Sequence, residues 1–133
     1  MIVLDASVVV DLILDIRPYS QVISQRIAGE APALYAPYLL DAEVGQVLRR
    51  WVLRGELSAD RALVAIEDFW VLPICRYPHK PLLERAFELR NNTTIYDALY
   101  ITLAEGLDAP LLTRDQALAN IPGTFAKIEL IPN

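Results

Sequence analysis

The chain has 133 residues, 54% of them hydrophobic, and its 17 acidic and 12 basic side chains leave a net charge of −5. That length fits one domain, 1–133, able to bury roughly two thirds of its unfolded surface without staples. Asp5, Asp11 and Asp15 interrupt the most apolar stretch, so no run reaches the ~20 apolar residues of a membrane-spanning helix.

Cys75 is the only cysteine, which rules out an internal disulfide. Its place in Val71-Leu72-Pro73-Ile74-Cys75 reads as a core thiol in a reducing compartment. The overlapping sequons in Asn91-Asn92-Thr93-Thr94 carry little weight, because no basic segment precedes the first apolar run as in a secretory signal. The sequence therefore reads as cytoplasmic. So high a hydrophobic fraction points to some apolar surface meant for a partner. The acidic balance argues against a nucleic-acid ligand only if it is spread evenly. With four of the 17 acids in one metal site, 13 would face 12 bases.

In chain order, Met1-Ile2-Val3-Leu4 reads as a buried parallel strand delivering Asp5 to a sheet edge, where open α/β sheets bind ligands. By itself Asp5 reads as a turn or cap residue rather than a functional acid. Ser7 offers an N-cap for a short buried helix over 8–15. A second helix over 18–28 turns Val22, Ile23 and Ile27 inward and closes at Gly29. Strand two, over 33–36, stops at Pro37. The spacing of Leu40, Val44, Val47, Leu48 and Trp51 marks the clearest helix, with Glu43 at the edge of its apolar stripe and Arg49, Arg50 and Arg54 solvated. Gly55 ends it. Ser58-Ala59-Asp60 opens the next helix, which carries Leu63, Ile66, Phe69 and Trp70; Trp51 and Trp70 read as core or interface residues.

Residues 72–74 read as strand three. His79, the only histidine, reads as a surface residue on a Pro-flanked turn, since no second ligand stands at metal spacing. A helix over 82–90 turns Leu82, Leu83, Ala86, Phe87 and Leu89 inward. The segment 93–104, capped by a Thr and ended by Gly106, is apolar on nearly every face and so predicts a helix buried all round. Asp97 lies in its first turn, a place the helix dipole alone explains. Residues 110–113 form a short strand, 114–118 place Asp115 at a helix start, and 126–130 form the last strand.

This alternation predicts a three-layer α/β/α fold with a central, mainly parallel sheet. Asp5 and Asp115 then lie at strand carboxyl ends, Asp97 at a helix start and Glu43 beside a packed face, so all four can converge. Carboxylates sharing a cleft repel one another, and a hard divalent cation, Mg²⁺ or Mn²⁺, with its oxygen ligands best explains their joint presence. Such a site activates water and stabilises charge on a phosphoryl group.

Ile2-Val3-Leu4-Asp5-Ala6-Ser7, the Glu43 helix, Tyr96-Asp97-Ala98-Leu99 and Leu112-Thr113-Arg114-Asp115 stand in the order and spacing of PIN-domain ribonucleases, which the chain resembles over essentially its whole length. In size it resembles the VapC-type toxins of toxin–antitoxin pairs. The resemblance implies a PIN-like fold and an acidic quartet of Asp5, Glu43, Asp97 and Asp115 as catalytic and metal residues, with Asp5 and Asp97 the surest direct ligands. Ser7 and Thr113 match hydroxyl positions that support the acids. It also implies a Mg²⁺- or Mn²⁺-dependent endoribonuclease acting on RNA, a homodimer, and silencing by a cognate antitoxin protein. Arg49, Arg50, Arg54, Arg90 and Arg114 are candidate phosphate binders. An apolar flank for the antitoxin is expected around Ile13, Leu14 and Trp51.

Two rival readings stand beside this one. A haloacid-dehalogenase-like phosphatase also opens on an apolar strand ending in Asp, but its nucleophile motif requires a second Asp where Ser7 stands. A non-catalytic PIN-like binding module is opposed by the intact quartet, since a scaffold has no reason to keep four converging acids.

Overall fold

The computed structural model describes residues 1–28 and 33–132. Five strands form one sheet in the order β3-β2-β1-β4-β5. They are β1 (Ile2–Leu4), β2 (Leu34–Pro37), β3 (Ile74–Tyr77), β4 (Leu111–Thr113) and β5 (Ile128–Leu130). Every pairing is parallel. A parallel sheet needs covered faces. Among the described residues seven α-helices supply the cover: α1 (Ala6–Ile13), α2 (Tyr19–Ala28), α3 (Leu39–Leu53), α4 (Ala59–Val71), α5 (Leu83–Glu88), α6 (Ile95–Leu107) and α7 (Gln116–Ala119). Among the described residues no helix is long and apolar enough to cross a membrane.

The strand period of two builds the layers. Ile2 and Leu4 face a core with Val8, Val9, Leu40, Val44 and Phe69 from α1, α3 and α4. Val3 faces the other core, with Leu89, Leu99, Tyr100 and Leu103. Because both faces are buried, the central strands read as unbroken apolar runs. Helix α6 is buried from Ala98 through Ala104, as its all-round apolar sequence predicts.

Several boundaries differ from the sequence reading, each for a local reason. The N-cap of α1 is Asp5, whose carboxylate accepts from the Val8 N–H; Ser7 lies inside the helix. Pro37 is the last residue of β2, paired with Tyr77, where its missing N–H costs little. Strand three begins at Ile74, after Pro73, and runs to Tyr77. It is an edge strand, so Cys75 is exposed and is no core thiol. The segment 82–90 starts as a 3₁₀ turn at Lys80–Leu82, and its helix leaves Leu83 and Phe87 exposed. Helix α6 passes through Gly106 and ends at Leu107, capped by Asp108, which takes the left-handed conformation at φ 48°. The expected closing role of Gly29 lies outside the described residues.

Trp51 is half-buried against the first core, whereas Trp70 is 78% exposed. His79 is half-buried, and its Nε2 accepts from the Leu39 N–H at 2.9 Å. It supplies the cap that Tyr38, at the start of α3, does not.

Candidate functional site

Strand β1 lies between β2 and β4, and the sheet's chain order reverses beside it. A crevice at the carboxyl ends of such strands is the usual ligand site of an open parallel sheet. Asp5 follows β1 and is 6% exposed. Its Oδ1 accepts from Ser7 Oγ at 2.6 Å and from the Val8 N–H at 3.2 Å, and its Oδ2 accepts from Thr113 Oγ1. Ser7 Oγ in turn accepts from the Arg114 N–H at 3.1 Å, and Thr113 Oγ1 from the Asp115 N–H at 3.0 Å. The two hydroxyls singled out in the sequence thus tie the end of β1 to the loop after β4.

Asp115 caps α7 through the Ala117 N–H at 2.9 Å. Asp97 sits in the first turn of α6, with Thr94 as the cap, and Glu43 projects half-buried from α3. Burial pushes the Asp5 carboxyl up to about 6, against the bonds from Ser7, Thr113 and Val8, and the charge of Glu43 adds to it. Burial likewise raises Glu43, with Asp97 adding to it and Tyr100 opposing. Burial and then Asp115 raise Asp97. The acids are therefore electrostatic neighbours in sequence: Asp5 with Glu43, Glu43 with Asp97, Asp97 with Asp115. Among the described residues none of the four forms an ion pair with a cationic side chain. Nor, among the described residues, are three His, Cys or acidic side chains gathered as a metal cage. The donor set still fits a hard divalent cation, because carboxylates without a counter-charge suit oxygen coordination.

Two of the candidate phosphate-binding arginines have partners within the protein. Arg114 does not reach out for phosphate: its Nη1 bonds both oxygens of buried Asp11 at 2.9 Å, and the guanidinium stacks on Tyr19. Arg90 lies over the Phe87 ring, 4.7 Å from its centroid, and donates to the Phe87 carbonyl. Arg49, Arg50 and Arg54 remain exposed. The reading also missed Tyr100, which faces the acids from α6; its place three residues after Asp97 was the available signal.

An all-parallel sheet with uncompensated acids at its carboxyl edge is the architecture of a PIN domain, and a PIN-domain model matches residues 2–123. Over 130 residues the chain is 45% identical to Ribonuclease VapC1 of Mycobacterium tuberculosis, covering 97% of this chain and 96% of that protein. To Ribonuclease VapC12 of the same organism it is 42% identical over 131 residues, covering 98% and 99%. The chain belongs to the PIN-domain family, and within it to the VapC ribonucleases. In fold it is similar to the crystal structure of VapBC2 from Rickettsia felis bound to a promoter DNA fragment, with a TM-score of 0.69 at 16% identity over 98% of each chain.

Proposed function

We propose that the chain is a metal-dependent endoribonuclease, the toxin of a VapBC-type pair, and that 1–133 is a single catalytic domain. The observation that carries the mechanism is the run of neighbouring acids without a cationic partner among the described residues. Asp5 and Asp97 would hold Mg²⁺ or Mn²⁺ directly, with Glu43 and Asp115 completing the donor set. A bound cation of this kind activates water and stabilises charge on the phosphoryl group of an RNA phosphodiester. The chain's own residues do the rest. Ser7 and Thr113 hold both Asp5 oxygens in place, and the Thr113 bond to the Asp115 N–H sets the β4 loop beside it.

The near-full-length identity to named ribonucleases supports the activity, and the VapBC complex among the structural relatives supports an antitoxin partner. A homodimer in the cytoplasm remains part of the reading. The apolar flank for the antitoxin moves, however. Ile13 is buried and Leu14 and Trp51 are half-buried, whereas Leu53 and Leu63 are exposed along a groove of about 360 Å³ between α3 and α4. That groove is the better candidate. The test is cleavage of RNA by the purified chain with Mg²⁺ or Mn²⁺, against chelated controls. Cleavage that survives EDTA, or no cleavage with either ion, would refute metal-dependent ribonuclease action.

A further inference from the structure

Glu43 differs from its three neighbours in how it is held. Asp5 receives three hydrogen bonds, Asp115 is bonded to a helix N–H, and Asp97 has a one-carbon stem. Glu43 has an additional rotatable bond, and among the described residues its one side-chain bond, from Tyr100, is poorly formed. A carboxylate left this free loses its place easily, and metal sites depend on groups that orient their ligands.

The group that faces it is Tyr100. Its ring is 2% exposed within the all-buried part of α6, and among the described residues its hydroxyl is buried without a well-formed hydrogen bond. A buried phenol ordinarily finds a partner, and one that has none calls for an explanation. The charges around it are Glu43 first, then Asp5 and Asp97. Asp97 and Tyr100 are three residues apart, so they leave neighbouring turns of α6 on one side. A Tyr has few rotatable bonds, and this one is fixed by packing.

We infer that Tyr100 is a positioning residue: its hydroxyl donates to Glu43 and aims that carboxylate at the site shared with Asp5 and Asp97. This rests on the ribonuclease reading above. It also accounts for a phenol at a buried position of α6, where Phe would pack as well and leave no orphaned oxygen.

The test uses the full chain, with Mn²⁺ titration and single-turnover RNA cleavage. Tyr100→Phe is expected to melt at or above the parent temperature in EDTA, to bind Mn²⁺ about 10-fold more weakly, and to lower kcat with KM for RNA unchanged. In a Glu43→Ala background the same substitution should have no further effect on Mn²⁺ affinity, because the two act as one unit. Thr102→Val removes another buried hydroxyl without a partner among the described residues and should leave Mn²⁺ affinity at the parent value. Parent-like Mn²⁺ affinity in Tyr100→Phe, or losses that add to those of Glu43→Ala, would overturn the inference. A parent chain that neither binds Mn²⁺ nor cuts RNA would overturn the ribonuclease reading, and this inference with it.

Discussion

Arg114 places one guanidinium nitrogen 2.9 Å from both carboxylate oxygens of Asp11 and lays its guanidinium 3.5 Å from the centre of the Tyr19 ring. Asp11 belongs to α1 and Arg114 to the loop that carries Asp115, so the contact fastens an acid-bearing loop to the opposite layer. Burial raises the Asp11 carboxyl, and the bond and charge of Arg114 only partly offset it. The pair is thus costly to assemble and costlier to break. Asp11→Ala is expected to destabilise the fold by about 1–3 kcal/mol, because it strands the half-buried Arg114 guanidinium. The paired replacement Asp11→Leu with Arg114→Met should recover most of that loss, and urea melts of both variants would measure it.

Asp97→Asn should abolish RNA cleavage while leaving the metal-free protein as stable as the parent or more so. The substitution removes the repulsion between Asp97 and both Glu43 and Asp115, whereas the helix-dipole contribution it gives up is about 0.3–1 kcal/mol. Melting in EDTA decides the matter. A variant that melts well below the parent would make Asp97 a structural cap instead.

The metal-free protein should lose stability as pH rises through about 6. Asp5 titrates near 3.8 when unfolded and at about 6 when folded, so the folded state holds its proton more tightly. That contribution is complete below the unfolded value and disappears above the folded one, a change of ~3 kcal/mol between pH 4 and pH 7. Asp5→Asn should flatten this part of the profile. Chemical denaturation with EDTA across that range, for parent and variant, checks the sign.

Glu105 gives the opposite slope. Burial alone would raise its carboxyl, but bonds from Arg85, Thr124 and the Phe125 N–H outweigh it and hold it below the usual range. This stabilisation is present above the unfolded value of 4.5 and is lost as pH falls below it. Glu105→Gln should therefore weaken the fold at pH 7 and steepen nothing below pH 4, which acid titration of the far-ultraviolet dichroism would show.

Gly45→Ala tests the groove between α3 and α4. A Cβ there meets nothing within 4 Å, so relief of a helical glycine should stabilise the chain by about 0.5–1 kcal/mol. Gly45 also lines the groove. The same methyl should weaken inhibition by the cognate antitoxin, measured as residual RNA cleavage at fixed antitoxin, while leaving uninhibited cleavage alone.

The sequence was most legible where burial is complete. Residues of β1 and α6 touch protein on every side, so their apolar runs carry an unmixed signal. At the sheet margin the signal mixes: Cys75 of β3 is exposed and Arg76 and Tyr77 are both half-buried, without strict alternation, and Pro73 drew the predicted strand too far toward the N-terminus. The acids were legible as ends of elements, because strand ends and helix starts are local features. What holds them was not. The partner of Arg114 lies 103 residues away, so its charge looked available for phosphate. His79 caps a helix 40 residues before it, which no local spacing reveals. Tyr100, amid apolar neighbours, looked like ordinary core.

The position of β1 in the middle of the sheet has a consequence for the timing of activity during synthesis. Leu4 is aligned with Leu112 and Asp5 is bonded to Thr113, 108 residues later, so the innermost strand waits for a neighbour made well after it. Chains emerge from the ribosome amino end first, at about 5–20 residues per second. A nascent chain stalled before β4 would carry Asp5, Glu43 and Asp97 yet lack the bond that fixes Asp5 and the loop that brings Asp115. The site would thus be assembled only once β4 has emerged, which leaves an inhibitor already in the cell several seconds to meet the earlier helices.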